Sequence, residues 1–216
     1  LAADVSPADG YNDHDYSVLR AYLETEVGGT KNGFRVRTSY NADDPTTWEV
    51  SWAEFGGEKY AYGINWNDKG LTGTLDLSGF VHLSALYVDA NSLSSIVTTG
   101  CTDLSNFTCE SNGLTSLDLS TNTSLGWLDC RYNQLTSLDT SKAGASLYYL
   151  WCEENKLSTL TVTGNTKLSE LYCYNNKLST LNLSGFDALV YLSCDDNLLT
   201  SLNVTGCVSL KELYCY

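Results

Sequence analysis

Eight cysteines are the residues of this chain best equipped for chemistry, and six recur at fixed intervals. Cys109, Cys130, Cys152, Cys173, Cys194 and Cys215 lie 21, 22, 21, 21 and 21 residues apart. Regular thiols could bind a soft metal, form disulfides or act as nucleophiles, and each use has its own geometric demand. A zinc site brings C-x-x-C pairs together with His or further Cys. No C-x-x-C occurs, and the two histidines, His14 and His82, are far in sequence from most of the six. Val88 stands at the same place in a preceding unit, so the position reads as small, buried and apolar. Thiols on successive parallel strands, about 4.8 Å apart, would point the same way, which suits the torsion of a disulfide poorly. All six are therefore expected to be reduced core residues, with no metal ligand, cofactor or nucleophile among them. Cys101 and Cys207 share a different position, filled elsewhere by Phe80, Asn122, Asn165 and Phe186. Five units apart, those two are not expected to bridge.

Carboxylates are the second chemical resource. Glu153 or Glu154 with Asp129 or Glu170 could pair for glycoside hydrolysis. Nothing in the sequence suggests a cleft that would shift a pKa, and no Ser or Cys nucleophile motif accompanies them. No catalytic residue is assigned, and the chain reads as non-enzymatic. Asp13 with Asp15, or Asp43 with Asp44, suggest calcium, but neither pair is a full ligand set and both suit turns or helix caps. The formal charge is −14, with acids spread along the chain. Such a surface repels phosphate backbones and anionic membrane, which excludes nucleic acid as the expected partner. No apolar run of about 18 residues is present to cross a membrane. Leu1-Ala2-Ala3-Asp4 lacks a basic start and an apolar stretch, and the chain contains no Met. It is expected to be a processed or excerpted chain, with further sequence after the final LKELYCY.

The elements that must position these residues repeat as well. Seven units begin at Leu71, Leu93, Leu114, Leu135, Leu157, Leu178 and Leu199, and the later ones contain L-x-x-L-x-C-x-x-N-x-L, as in LGWLDCRYNQL. The alternation in L-x-x-L-x-C describes a short strand with Leu and Cys inward. The following Asn (Asn91, Asn112, Asn133, Asn155, Asn176, Asn197) can bond backbone groups where the chain turns inward. Return halves such as LSTLTVT are too short, and too rich in Ser and Thr, for a full α-helix; they fit an extended or 3-10 segment. The extra residue of LDTSKAGASL is absorbed there. The expected fold is a leucine-rich-repeat solenoid of the α/β class: parallel strands on a concave face and short return segments. Residues 71–216 would form it, the seventh unit incomplete. Residues 1–70 do not repeat and read as an N-terminal cap, with an amphipathic helix over Ser17–Glu26 and strands at Trp48–Trp52 and Tyr60–Trp66.

The cysteine row within LxxLxCxxNxL, with the preceding LRAYLE, Trp48, Trp52 and GINW, resembles the cysteine-type leucine-rich repeats of bacterial surface proteins, internalins in particular. The resemblance implies an exported protein, extracellular or on the cell surface, that binds partner proteins and in some cases glycans. No anchoring motif is present in this sequence. N-x-S/T sequons at Asn106, Asn122, Asn182 and Asn203 would matter only in a eukaryotic secretory pathway.

Once Leu, Cys and Asn are assigned to the scaffold, the outward strand positions carry whatever recognition the chain performs. Trp127, Tyr132, Tyr149, Trp151, Tyr172, Tyr174 and Tyr191 fall on four adjacent strands, with acids such as Asp129 and Glu153 around them. Exposed aromatics rimmed by polar groups characterise interface cores. These nine residues are the candidate ligand-binding set. The expected ligand is a protein offering basic or amphipathic surface. A carbohydrate stacked on the rings, or a purely structural spacer, are the alternatives.

Overall fold

A three-residue strand has too few hydrogen bonds to stand alone; its edges must be covered by neighbours. The computed structural model describes residues 10–216. In its cap, α1 (Asp13–Glu24) is followed by a small hairpin, β1 (Glu26–Val27) and β2 (Thr30–Lys31), then α2 (Asn32–Val36), a 3-10 turn at Pro45–Thr47, and the antiparallel pair β3 (Val50–Phe55) and β4 (Glu58–Asn65). The solenoid continues with β5 (Thr72–Asp76), β6 (Ala85–Tyr87), β7 (Ser92–Val97), β8 (Asn106–Thr108), β9 (Trp127–Asp129) and β10 (Ser137–Asp139). Beyond it come β11 (Tyr149–Trp151), β12 (Thr159–Thr161), β13 (Glu170–Tyr172), β14 (Thr180–Asn182), β15 (Tyr191–Ser193), β16 (Ser201–Asn203) and β17 (Glu212–Tyr214).

One nine-stranded sheet runs in the order β17-β15-β13-β11-β9-β8-β6-β4-β3, parallel throughout except for the β3–β4 hairpin at its end. It forms the concave face. The return row is not continuous: β5 pairs with β7, β10 with β12, and β14 with β16. These return segments are mostly extended. The 3-10 turn at Ser141–Ser146 takes up the long LDTSKAGASL segment, with Gly144 at positive φ. α-Helix is confined to the cap among the described residues.

The register explains the repeat. Leu86, Phe107, Leu128, Leu150, Leu171, Leu192 and Leu213 are direct partners on successive strands. All but Leu213, on the last strand, are buried, as are Cys109, Cys130, Cys152, Cys173 and Cys194. The eight cysteines are free thiols. Cys215, next to the last residue of the sequence, is exposed. Cys101 and Cys207 have a role of their own. Their thiols donate to the carbonyls of Leu77 and Leu183, each 24 residues back, at 3.1 and 3.2 Å. Asn122 and Asn165 fill the same position with an amide that donates to the carbonyls of Thr98 and Thr140. Where the position holds Cys or Asn, its side chain donates to a carbonyl of the preceding turn; Phe80 and Phe186 fill the same space with apolar rings.

The asparagine ladder fixes each strand's exit. Asn133 Nδ2 donates to the carbonyls of Cys109, Cys130 and Arg131 at 2.9, 3.1 and 3.1 Å, and its Oδ1 accepts from Leu114 N–H at 3.0 Å. Asn112, Asn155, Asn176 and Asn197 repeat the pattern. Immediately before each Asn the backbone is left-handed: Ala90, Ser111, Tyr132, Glu154, Asn175 and Asp196 have φ between 48° and 54°. That conformation is costly for most L-residues. It persists because it swings the Asn amide under the strand, where it satisfies carbonyls that burial would otherwise orphan.

The cap joins the same core. Leu19, Leu23, Trp48 and Trp66 belong to one buried cluster with Leu71, Leu75 and Leu86. β4 pairs in parallel with β6, Gly63–Asn65 against Ala85–Tyr87. Trp66 thus falls where later units place Cys, and its indole N–H donates to Trp48 O at 2.9 Å. The helix begins earlier than its apolar pattern suggested. Asn12 caps it by accepting from Asp15 N–H, and Asp13 and Asp15 lie in its first turn, where the helix dipole favours anions. Asp44 caps the 3-10 turn and Asp43 pairs with Arg20 at 2.7 Å, which accounts for the acids that had suggested calcium.

The ladder thiols lie among apolar neighbours, so Cys130→Val should leave stability within about 1 kcal/mol of the parent. Cys130→Ser should cost about 1–3 kcal/mol, because a hydroxyl would be buried without a partner. Urea unfolding midpoints distinguish the two outcomes.

Candidate functional site

On the concave face, side chains before and after each inward Leu project from strands held in register, so large rings on neighbouring strands must touch. Trp127 and Trp151 meet edge to face with centroids 5.5 Å apart, and Trp151 and Tyr172 do so at 6.0 Å. Tyr172 stacks on Tyr191 at 4.9 Å, and Tyr191 continues to Tyr214 at 5.6 Å. Four of the nine residues expected from the sequence thus form one unbroken row, which Tyr214 extends. Tyr149 pairs in register with Trp127 and is exposed. Tyr132 is also exposed, and Tyr174 is half-buried beside Trp151 and Tyr172. Among the described residues, neither Tyr132, Tyr149 nor Tyr174 makes a ring pair with the row.

Asp129 and Glu153 differ from the expectation of acids rimming the aromatics. Both are only 3 % exposed. The cause is the size of their neighbours. Asp129 is the short side chain next to Trp151 in the strand register, and a large ring beside a small residue covers it. Thr108 and Ser193 are buried at the same strand position.

Arg131, absent from the candidate set, organises the acids. Its Nη2 donates to Glu110 Oε2 at 3.0 Å, its Nε lies 3.2 Å from Asp129 Oδ2, and its Nη1 lies 3.7 Å from Glu153 Oε1. The guanidinium also sits over the Trp151 ring, 5.1 Å from its centroid, in cation–π range. Asp89 continues the line of acids, accepting from Thr108 Oγ1 at 2.7 Å and from Glu110 N–H at 2.8 Å. Arg131 was legible as an outward position. Its isolation as a cation among acids on four neighbouring strands is a signal that could have singled it out, and it was passed over.

Burial changes these acids. Loss of solvent pushes the Asp129 carboxyl up to about 7; Glu110 and Asp89 add to the rise, against the charge and backbone N–H of Arg131. Burial likewise raises Glu153, opposed in part by Arg131, and raises Asp89 against the bonds from Thr108 and Glu110. The sequence suggested no cleft that would shift a pKa; stacking large rings over outward acids creates the low-dielectric setting without a deep cleft.

Beside the cluster is a depression of about 270 Å3 lined by Arg131, Trp151, Glu153, Tyr172 and Tyr174. Glu153 Oε2 and the indole nitrogens of Trp127 and Trp151 are buried without hydrogen-bond partners. A shallower hollow of about 210 Å3 follows along the row between Tyr172 and Tyr216. Another depression, of about 430 Å3, lies on the return row between β12 and β14, where those strands do not pair, and has no charged residue in its lining. Among the described residues no group of three or more His, Cys, Asp or Glu is arranged to hold a metal ion, and no helix is long and apolar enough to cross a membrane.

A carboxylate whose folded pKa is raised destabilises the native state once ionised. The native state then holds the proton more tightly than the unfolded chain, so Asp129's contribution falls as pH rises from about 4 to about 7. Asp129→Asn should therefore be more stable than the parent at pH 8, by up to about 4 kcal/mol given about 1.36 kcal/mol per pKa unit over the rise from 3.8 to about 7. The difference should shrink toward zero near pH 4. Thermal unfolding across that range reads it, and a variant less stable at pH 8 would contradict the assignment.

The architecture is shared with solved proteins. The functional domain of InlJ from Listeria monocytogenes, which includes a cysteine ladder, is 30% identical with a TM-score of 0.54, over 65% of this chain and 34% of that one. YopM from Yersinia enterocolitica WA-314 is 25% identical with a TM-score of 0.55, over 62% of this chain and 28% of its own. The match thus spans about a third of these proteins' length. No family model matches the sequence, and comparison with curated proteins gives no match. The repeat, its register and its buried thiols make this chain a leucine-rich-repeat solenoid with a cysteine ladder, resembling InlJ.

Proposed function

We propose that the chain is a non-enzymatic binding module, extracellular or on the cell surface, that recognises a protein partner through its concave aromatic and acidic face. The single observation that carries this reading is the row from Trp127 to Tyr214. Partly exposed Trp and Tyr side chains, set on a rigid parallel sheet, lose little conformational freedom on contact and are enriched in interface hot spots. The net charge of −14 suits a basic partner.

Ring geometry favours protein over carbohydrate. A sugar-binding platform needs free ring faces. Here Tyr172 and Tyr191 stack on each other, and Arg131 covers a face of Trp151. Along the row itself a ligand meets mainly edges, hydroxyl groups and the gaps between rings, while Tyr132, Tyr149 and Tyr174 stand outside it unpaired. Hydrolysis is disfavoured for a related reason. Asp129 and Glu153, the two buried acids of this face, share contact with one guanidinium, which occupies the space a scissile bond would need.

The test is Trp127→Ala, Trp151→Ala and Tyr172→Ala combined, with capture of partners from host-cell extract and a glycan array run in parallel. The parent should retain a protein that the variant holds at least tenfold more weakly, while circular dichroism still reports the same fold. Lost stability with unchanged capture would reduce the row to packing. Array binding removed by the same substitutions would support carbohydrate recognition instead.

A further inference from the structure

Three carboxylates, Glu110, Asp129 and Glu153, converge on the single guanidinium of Arg131. When all are ionised, two negative charges are left without a cation. The excess is not spread evenly. Glu110 Oε2 receives a hydrogen bond from Arg131 at 3.0 Å, and Asp129 Oδ2 lies 3.2 Å from Arg131 Nε. Glu153 is engaged only through Oε1, at 3.7 Å, and its Oε2 is buried without any partner. The same residue lines the 270 Å3 depression, whose other walls are Arg131, Trp151, Tyr172 and Tyr174. A buried, unpaired carboxylate oxygen is costly unless a charged donor reaches it.

We propose that this depression receives the terminal ammonium and methylene stem of one lysine side chain from a protein partner. The proposal deepens the reading of the concave face as a protein-binding surface and rests on it. Glu153 Oε2 accepts from the ammonium, the Tyr172 and Tyr174 rings flank the methylenes, and the π-face of Tyr174, which pairs with no ring of the row, favours the positive end. Lysine fits better than arginine. One carboxylate oxygen is free, which suits a compact point charge, whereas a guanidinium fork is matched by two. An anion is disfavoured, since Arg131 already faces three acids.

The experiment is an amide and indole NMR titration of the intact chain at pH 8 and low salt with Nα-acetyl-lysine methylamide, repeated with its Nε-acetylated, neutral counterpart. The expected result is saturable shifts centred on Trp151, Glu153, Tyr172 and Tyr174 for the charged probe. The neutral probe and the Glu153→Gln variant should bind at least tenfold more weakly. Equal responses to both probes, shifts scattered over the acidic surface and unaffected by Glu153→Gln, or no saturation would each overturn the pocket. The comparison of probes on the parent chain stands even if the variant fails to fold. The two readings fail separately. Partner loss in the triple alanine variant without lysine saturation keeps the interface and removes the pocket, whereas lysine saturation with no protein captured keeps the pocket and removes the interface.

Discussion

Each turn of this molecule is tied to the one before it by the parallel strand ladder and, where the strand ends, by one asparagine amide. The ladder asparagine reaches carbonyls of its own turn and of the previous one, and accepts an N–H from the previous turn's Leu, as Asn133 does with Cys109, Cys130 and Leu114. That cross-turn hydrogen bonding sets the repeat at 21 or 22 residues and holds the left-handed residue that precedes each Asn. It places Leu above Leu and Cys above Cys. It also removes freedom from the outer face: what a strand displays is fixed by where its neighbour's side chains stand. Short strands would otherwise have edges too poorly bonded to persist.

The functional face follows from that constraint. Rings on adjacent strands cannot avoid one another, so Trp127, Trp151, Tyr172, Tyr191 and Tyr214 form a row. Short acids beside those rings cannot reach water, so Asp129 and Glu153 are buried although they project outward. Arg131 relieves only part of the resulting charge. The acids of the chain are therefore of two kinds: solvated carboxylates, and a shielded group gathered round Arg131.

The scaffold was legible in the sequence because a solenoid makes three-dimensional neighbours out of residues one period apart. Leu, Cys and Asn could be assigned by counting alone. The off-ladder position was legible as a shared site, but not as a donor, since that role depends on a carbonyl 24 residues away. The strand at Tyr60–Trp66 was visible, yet its alignment with β6 was hidden: Trp66 replaces the small ladder residue, and Lys69 stands where later units carry Asn. The burial of Asp129 was hidden for a different reason. Alternation says which side of a strand a residue faces, whereas exposure depends on the bulk of residues on neighbouring strands, here Trp151. The same cross-strand dependence concealed the part played by Arg131.

The central claim is that stacking has buried outward-facing acids on the concave face. The carboxyl carbon of Asp129, followed by 13C NMR through a pH titration of the folded chain, measures it directly. A midpoint near 7 is the result this account predicts. A midpoint near 4, the ordinary range for an aspartate in water, would mean that the acid is solvated and would contradict the account.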